Sequence, residues 1–174
     1  MSFVEFLGAH HDRQSFDCGK EALNRFLREQ ARQNADRHLG VTYVVVPNPG
    51  SSEIQGYFTL VTRTVESQQL LTPKKKLPAG PIGVVLLGRL AVDRRFQGQK
   101  LGQRMLLRAM AQVEQAGQQV GVYALVLDTL DEQARDWYLS LDFGFVSLPE
   151  QPHRLFVSLA FIQQLGLGPL SDRL

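Results

Sequence analysis

Leu90-Ala91-Val92-Asp93-Arg94-Arg95-Phe96-Gln97-Gly98-Gln99-Lys100-Leu101-Gly102-Gln103-Arg104 decides how this chain is read. Leu90, Ala91 and Val92 close an apolar strand, a basic turn with Gly98 follows, and residues 98–116 continue at helical spacing with Leu101, Met105, Leu106, Ala109 and Val113 on one face. A helix opening straight out of such a turn leaves its first amide N–H groups without intrahelical acceptors, and its aligned peptide dipoles put partial positive charge at the same place. Gly98 and Gly102 allow close backbone approach where a Cβ would collide. Arg94, Arg95, Lys100 and Arg104 add charge, and Arg binds phosphate in a bidentate way. The physical reading is a pyrophosphate cradle built from Arg95, Gln97, Gly98, Gln99, Lys100, Leu101, Gly102, Gln103 and Arg104. The alternative is a helix start with a few solvated cations. No Gly-Lys-Ser/Thr follows, so this is not a P-loop, and without G-x-G-x-x-G it is not the dinucleotide fingerprint.

Outward from this stretch, residues 3–7 read as a short strand and Phe16-Asp17-Cys18-Gly19 as a helix start. Ala22, Leu23, Phe26, Leu27, Gln30 and Ala31 follow as the inner face of one amphipathic helix, with Arg25, Arg28, Arg32 and Arg37 among its polar positions. Strands are expected over residues 41–46, 54–65 and 84–92, the last strongly apolar and central. Further strands are expected over 122–127, 145–147 and 155–159, with a helix over 131–141. Strands and helices alternate only in the second half, which gives a mixed α/β or α+β sheet and not an all-parallel one. Residues 166–174 read as a frayed tail after a single domain over 1–165.

The chain has 174 residues, 44% of them apolar, enough for one domain with a real core. A net charge of +2 does not by itself mark a nucleic-acid binder, although clustered cations raise the local potential. Cys18 is the single cysteine, which excludes an internal disulfide and suits a reducing compartment. The start lacks a signal-peptide pattern and no apolar run is long enough for a bilayer, so a cytoplasmic location is expected.

The run Arg95-x-x-Gly98-x-Lys100 resembles motif A of the GNAT acetyltransferase superfamily, Q/R-x-x-G-x-G/A, in which the turn binds the pyrophosphate of acetyl-CoA. Its third anchor is Lys where the family has Gly or Ala. Four further stretches are similar to one branch of the family, the toxin acetyltransferases of bacterial type II toxin–antitoxin modules. They are Phe16–Gly19 with Leu23–Leu27, Gly56–Leu60, Leu87–Asp93, and Asp128 through Phe145. The resemblance implies a mixed, mostly antiparallel sheet whose fourth and fifth strands splay to admit the pantetheine arm. It implies acetyl-CoA as co-substrate without a metal, and transfer of the acetyl group to a primary amine. In the toxin branch that amine is the α-amine of aminoacyl-tRNA, the partner is a ribbon–helix–helix antitoxin, and homodimers are frequent.

Acetyl transfer from a thioester to an amine needs a neutral amine, a polarised carbonyl and a proton for the departing thiolate. Backbone N–H groups at Leu90, Ala91 and Val92 are expected to polarise the carbonyl. A Tyr hydroxyl suits the proton, and Tyr138 is the candidate, because in the family a Tyr on this helix precedes a Gly-Phe pair, here Gly144-Phe145. Leu141-Asp142 lengthens that gap. If the insertion follows the helix, Tyr138 keeps its place; if it shifts the helical register, Tyr138 leaves the sulfur. The bland reading makes Trp137 and Tyr138 packing aromatics. Asp93, beside Arg94 and Arg95, reads as a partner to them, and it, Glu66, His10 and His11 read as solvated loop residues and not as a general base. None is required if the acceptor is the α-amine of an amino-acid ester, whose pKa lies below the value of about 10.4 for Lys.

Arg89 interrupts an apolar strand and must reach a carboxylate, a phosphate or an open cleft, so a structural ion pair and a substrate role stand side by side. Lys74, Lys75 and Lys76, with the arginines of the first helix, are either a solvated face or a rim for RNA phosphates. Three functions result: a toxin-type aminoacyl-tRNA acetyltransferase, a non-toxic enzyme acetylating a small-molecule or protein amine, and a catalytically silent acyl-CoA-binding module.

Overall fold

The computed structural model describes residues 1–70, 77–148 and 150–174. In chain order the elements are β1 (Phe3–Phe6), α1 (Glu21–Glu29), α2 (Ala31–Asp36), β2 (Val41–Val46), β3 (Gly56–Glu66), β4 (Pro81–Val92), α3 (Leu101–Gly117), β5 (Ala124–Asp128), α4 (Glu132–Ser140), β6 (Val146–Leu148), β7 (Gln151–Ser158) and α5 (Leu159–Gln164). The strands form one sheet in the order β1-β2-β3-β4-β5-β7-β6. β1–β2, β2–β3, β5–β7 and β6–β7 pair antiparallel, and β4–β5 pair parallel. This is the expected mixed, mostly antiparallel α+β architecture. β4 and β5 pair in parallel register from Val85↔Leu125 to Leu87↔Leu127, and β4 extends past that pairing to Val92.

The Cα framework clusters into two compact units. The first comprises Met1–Val61, Gly88–Ala109 and Pro169–Leu174. Its core joins Phe26, Leu27 and Ala31 to Val44, Val46, Tyr57 and Ala91, with Phe16 edge-on to the Tyr57 ring at 5.4 Å. β2 holds these contacts because its run of β-branched residues presents Val44 and Val46 to one face at the strand period of two. The second unit comprises Thr62–Leu87 and Met110–Gly168, with Val65, Val84, Ala124, Val126, Leu148 and Phe156 at its centre. Along α3, the five positions expected to face inward are all buried.

Three expectations are corrected. The single first helix is two, because Gln30 takes φ −120° and stops the ladder between α1 and α2. Its buried face also carries Asn24 and leaves Ala22 and Gln30 exposed. Residues 166–174 do not simply fray: Val4 N–H donates to Asp172 O at 2.7 Å and Leu174 N–H to Ser2 O at 2.9 Å, returning the chain to β1. The terminal helix α5 was missed because β7 runs into it without a turn. Ser158 ends the strand and caps the helix at once, its Oγ accepting from Phe161 N–H.

Candidate functional site

β4 delivers the chain to Val92, and the next residues are fixed by one buried carboxylate. Asp93 is not a solvated loop residue, being only 1% exposed. Its Oδ1 accepts from Arg95 N–H at 3.0 Å and Arg95 Nε at 2.9 Å, and its Oδ2 accepts from Asp17 N–H at 3.2 Å. Burial alone raises its pKa, but these hydrogen bonds outweigh burial together and hold the carboxyl below its ordinary value. Arg95 reaches on to Glu53 at 3.0 Å, Arg94 pairs with Asp17 at 3.6 Å, and Gln97 Nε2 donates to Cys18 O and Val92 O at 3.0 and 2.8 Å. Arg94, Arg95 and Gln97 therefore brace the turn.

Beyond Gln97 the backbone changes character. Gly98 has φ +75° and Lys100 has φ +62°, both left-handed, and α3 begins at Leu101. Open space faces the Cα of Gly98 where a Cβ would stand. Arg104 N–H closes the first helical bond to Lys100 O at 3.1 Å. Among the described residues, the N–H groups of Gly98, Gln99, Lys100, Leu101, Gly102 and Gln103 have no acceptor at hydrogen-bond distance. Lys100 and Arg104 likewise have no carboxylate partner among them. Lys100 adopts the left-handed conformation that Gly normally supplies, so the departure at the third motif anchor leaves the backbone path intact. Six free donors, a helix N-terminus and two unengaged cations are the requirements of a diphosphate site.

In the second unit, Asp131 caps α4 by accepting from Ala134 N–H at 2.8 Å. Tyr138 lies in the last turns of that helix, its ring 4.8 Å from Trp137 and edge-on to Phe145 at 5.9 Å. Burial raises its pKa, so the phenol is protonated across the neutral range. No partner for its hydroxyl occurs among the described residues. α4 ends at Ser140, and the chain reverses through Asp142 at φ +58° and Gly144 at φ +88°. Leu141-Asp142 thus follows the helix and leaves its register alone.

Residues 25–145 match the family model described as the acetyltransferase (GNAT) family. The chain belongs to the GNAT acetyltransferase family. A tRNA-acetylating toxin of Mycobacterium tuberculosis is 30% identical over 76% of this chain and 78% of its own length. A tyrosine-to-phenylalanine variant of KacT superposes with TM-score 0.87 at 34% identity, over 94% of this chain and 98% of that one. AtaT complexed with acetyl-methionyl-tRNAfMet superposes with TM-score 0.86 at 35% identity, over 95% of this chain and 99% of that one. As a GNAT member the chain is an N-acetyltransferase.

The other predicted residues fare unequally against this GNAT frame. Arg89 has no carboxylate partner among the described residues, and its guanidinium carbon stands 3.5 Å above the Phe26 ring. Lys74, Lys75 and Lys76 lie outside the described residues. On the first helices Arg28 pairs with Glu21, while Arg25 and Arg37 are exposed. Glu66 and His10 are exposed as expected, but His11 is not a solvated loop residue, because it is buried. Glu5, His10 and His11 each bring a ligand-type atom within 4.8 Å of the others. Gly8 N–H donates to His11 Nδ1 at 2.8 Å, so neutral His11 carries its proton on Nε2, and Nε2 meets Glu5 Oε1 at 2.7 Å. Both ring nitrogens are engaged, and the trio reads as a hydrogen-bonded clamp. The supports missed in the sequence are Asp17, Asn24 and Glu53. Asn24 Oδ1 accepts from Cys18 N–H at 2.9 Å and Nδ2 donates to Asp17 Oδ1 at 2.9 Å. Nothing in the spacing pointed there, because the burial of Asn24 shows only in the fold.

Proposed function

We propose that this N-acetyltransferase moves the acetyl group of acetyl-CoA to the α-amine of aminoacyl-tRNA and is the toxin of a toxin–antitoxin pair. The observation that carries the reading is the near-complete coverage, in both chains, of AtaT complexed with acetyl-methionyl-tRNAfMet. AtaTR has been solved with acetyl-CoA, and AtaT with the C-terminus of its antitoxin AtaR, which supports the same donor and an antitoxin partner here. The donor's diphosphate is assigned to the N–H groups of residues 98–103 with Lys100 and Arg104. Backbone N–H groups at Leu90, Ala91 and Val92, on the part of β4 past its pairing with β5, polarise the thioester carbonyl.

Attack by the neutral amine forms a C–N bond and breaks the C–S bond. Tyr138 hydroxyl donates its proton to the departing sulfur, and the proton lost by the amine returns through solvent to the tyrosinate, restoring the phenol. The KacT and AtaT structures include tyrosine-to-phenylalanine variants, which supports giving this role to a tyrosine. The whole of residues 1–165 serves as one acetyltransferase domain in this proposal.

Induced expression of the wild type is expected to arrest growth, with N-acetylated aminoacyl-tRNA visible by mass spectrometry. Tyr138→Phe should relieve the arrest and lower kcat by about two orders of magnitude, the usual worth of a positioned proton donor. Arrest unrelieved by Tyr138→Phe, or tRNA without N-acetyl aminoacyl groups, overturns the proposal.

A further inference from the structure

Arg89 is a cation on the core side of the first unit. It is half-buried, its flat guanidinium lies 3.5 Å above the Phe26 ring, and burial depresses its pKa. No carboxylate, carbonyl or hydroxyl among the described residues accepts from it. A second polar group without a partner lies on the neighbouring strand β3, beside Gly88, the residue before Arg89. Thr59 Oγ1 is buried without a hydrogen-bond partner among the described residues, and it lies 2.9 Å from where a Cβ on Gly88 would be. A stacked guanidinium has its planar faces covered or coverable by rings, while its edge N–H groups remain for an anion with two oxygens. Position along β4 says whose anion it is. The thioester is assigned to residues 90–92 and the diphosphate to residues 98–104, so the donor runs toward the C-terminal side of Arg89. An anion at Arg89 lies on the other side of the reacting carbonyl, with the acceptor.

We infer that Arg89, stacked on Phe26, is the anion-binding residue of the acceptor site and takes a phosphodiester of the aminoacyl-tRNA 3′ end. This rests on the aminoacyl-tRNA reading above. Arg89 is a specificity residue in this role, because it engages a group remote from the reacting atoms. A charged hydrogen-bonded pair of this kind is worth about tenfold to a hundredfold in affinity.

The test compares three acceptors with non-hydrolysable amide links: a full-length aminoacyl-tRNA mimic, an aminoacyl-CpA dinucleotide carrying one phosphodiester, and an aminoacyl-adenosine carrying none. The wild type should prefer the dinucleotide over the nucleoside by at least about tenfold in KM. Arg89→Gln should erase that preference by raising KM on the dinucleotide to that on the nucleoside, and Arg89→Lys, which keeps charge without the planar fork, should retain part of it. Coenzyme A affinity should stay within about twofold in both variants, which also reports that they fold. An intact preference in Arg89→Gln, equal losses on dinucleotide and nucleoside, or weakened coenzyme A binding overturns the inference. If the wild type acetylates a simple primary amine but none of the three acceptors, the tRNA reading fails on its own. Arg89 is then decided by calorimetry on the coenzyme A complex: tighter binding of the dinucleotide than the nucleoside, lost in Arg89→Gln, upholds it, and equal binding sinks it.

Discussion

Lys100 bears backbone strain for a position and adds a charge to it. A left-handed φ of +62° costs an L-residue roughly 1–2 kcal/mol, part of which glycine returns through its greater freedom when unfolded. Lys100→Gly is therefore expected to raise stability by about 0.5–1 kcal/mol in chemical denaturation, while Lys100→Ala keeps the strain and does not. Both remove the charge and should weaken coenzyme A binding to a similar, salt-sensitive extent, read by titration at two ionic strengths. If Lys100→Gly lowers the midpoint, the strain argument is wrong. Asp93 makes the second residue-scale prediction. Its folded carboxyl is held below its unfolded pKa, so its contribution is fully present above the unfolded value and disappears as pH falls through the folded one. Asp93→Asn should cost about 1.5–3 kcal/mol near neutrality, and the gap to wild type should narrow below about pH 4. A gap that widens on acidification contradicts the assignment. The cradle's residue types were legible in the sequence as a strand–turn–helix with glycine and cations. Which cations remain for a ligand was not, because Arg95's partner Glu53 is 42 residues away and no spacing rule announces it.

At the scale of elements, strands were the easiest to read. The β-branched run Val41–Val46 appears as β2 with the same bounds, and the apolar run before Asp93 appears as β4. The errors occur at ends, where tertiary contacts overrule propensity. Gln30 has no breaker signature, yet it divides α1 from α2, and Ser158 was hidden inside a strand. The turn after α4 was an open question in the sequence and is resolved by two left-handed residues, Asp142 and Gly144. This makes Gly144 the element-scale test. At φ +88°, with the Phe161 ring against its Cα, an added methyl meets strain and overlap together. Gly144→Ala should cost about 2–4 kcal/mol, lowering the melting temperature by roughly 5–15 °C. Asp142→Gly, at the neighbouring left-handed residue, should be neutral or stabilising by up to about 1 kcal/mol. Equal melting temperatures for wild type and Gly144→Ala would show that the turn can rearrange, and with it the end of the helix carrying Tyr138.

For the whole molecule, the sheet begins at β1, and β1 is a strand edge with a row of backbone groups facing outward. Part of that row is met by the last residues of the chain. Asp172 O accepts from Val4 N–H, Leu174 N–H donates to Ser2 O, and Phe3 bridges to Arg173. Ser171 O accepts from Arg108 Nε at 3.1 Å, which ties the same segment to α3. Chain ends of polar and small residues ordinarily read as loose, and the sequence gives no sign of this pairing because it spans almost the full length. The consequence is that β1 and the C-terminal segment hold one another. Removing Pro169–Leu174 deletes these bonds at roughly 1 kcal/mol each and uncovers the edge. The truncated protein should lose about 1–3 kcal/mol in denaturant, exchange the amides of Val4 and its neighbours faster, and associate at high concentration through the bared strand. Coenzyme A affinity should be unchanged, because the cradle from Gly98 to Gln103 makes no hydrogen bond to this segment among the described residues. Unaltered stability together with unaltered exchange at Val4 would mean that the terminal segment lies on β1 without stabilising it.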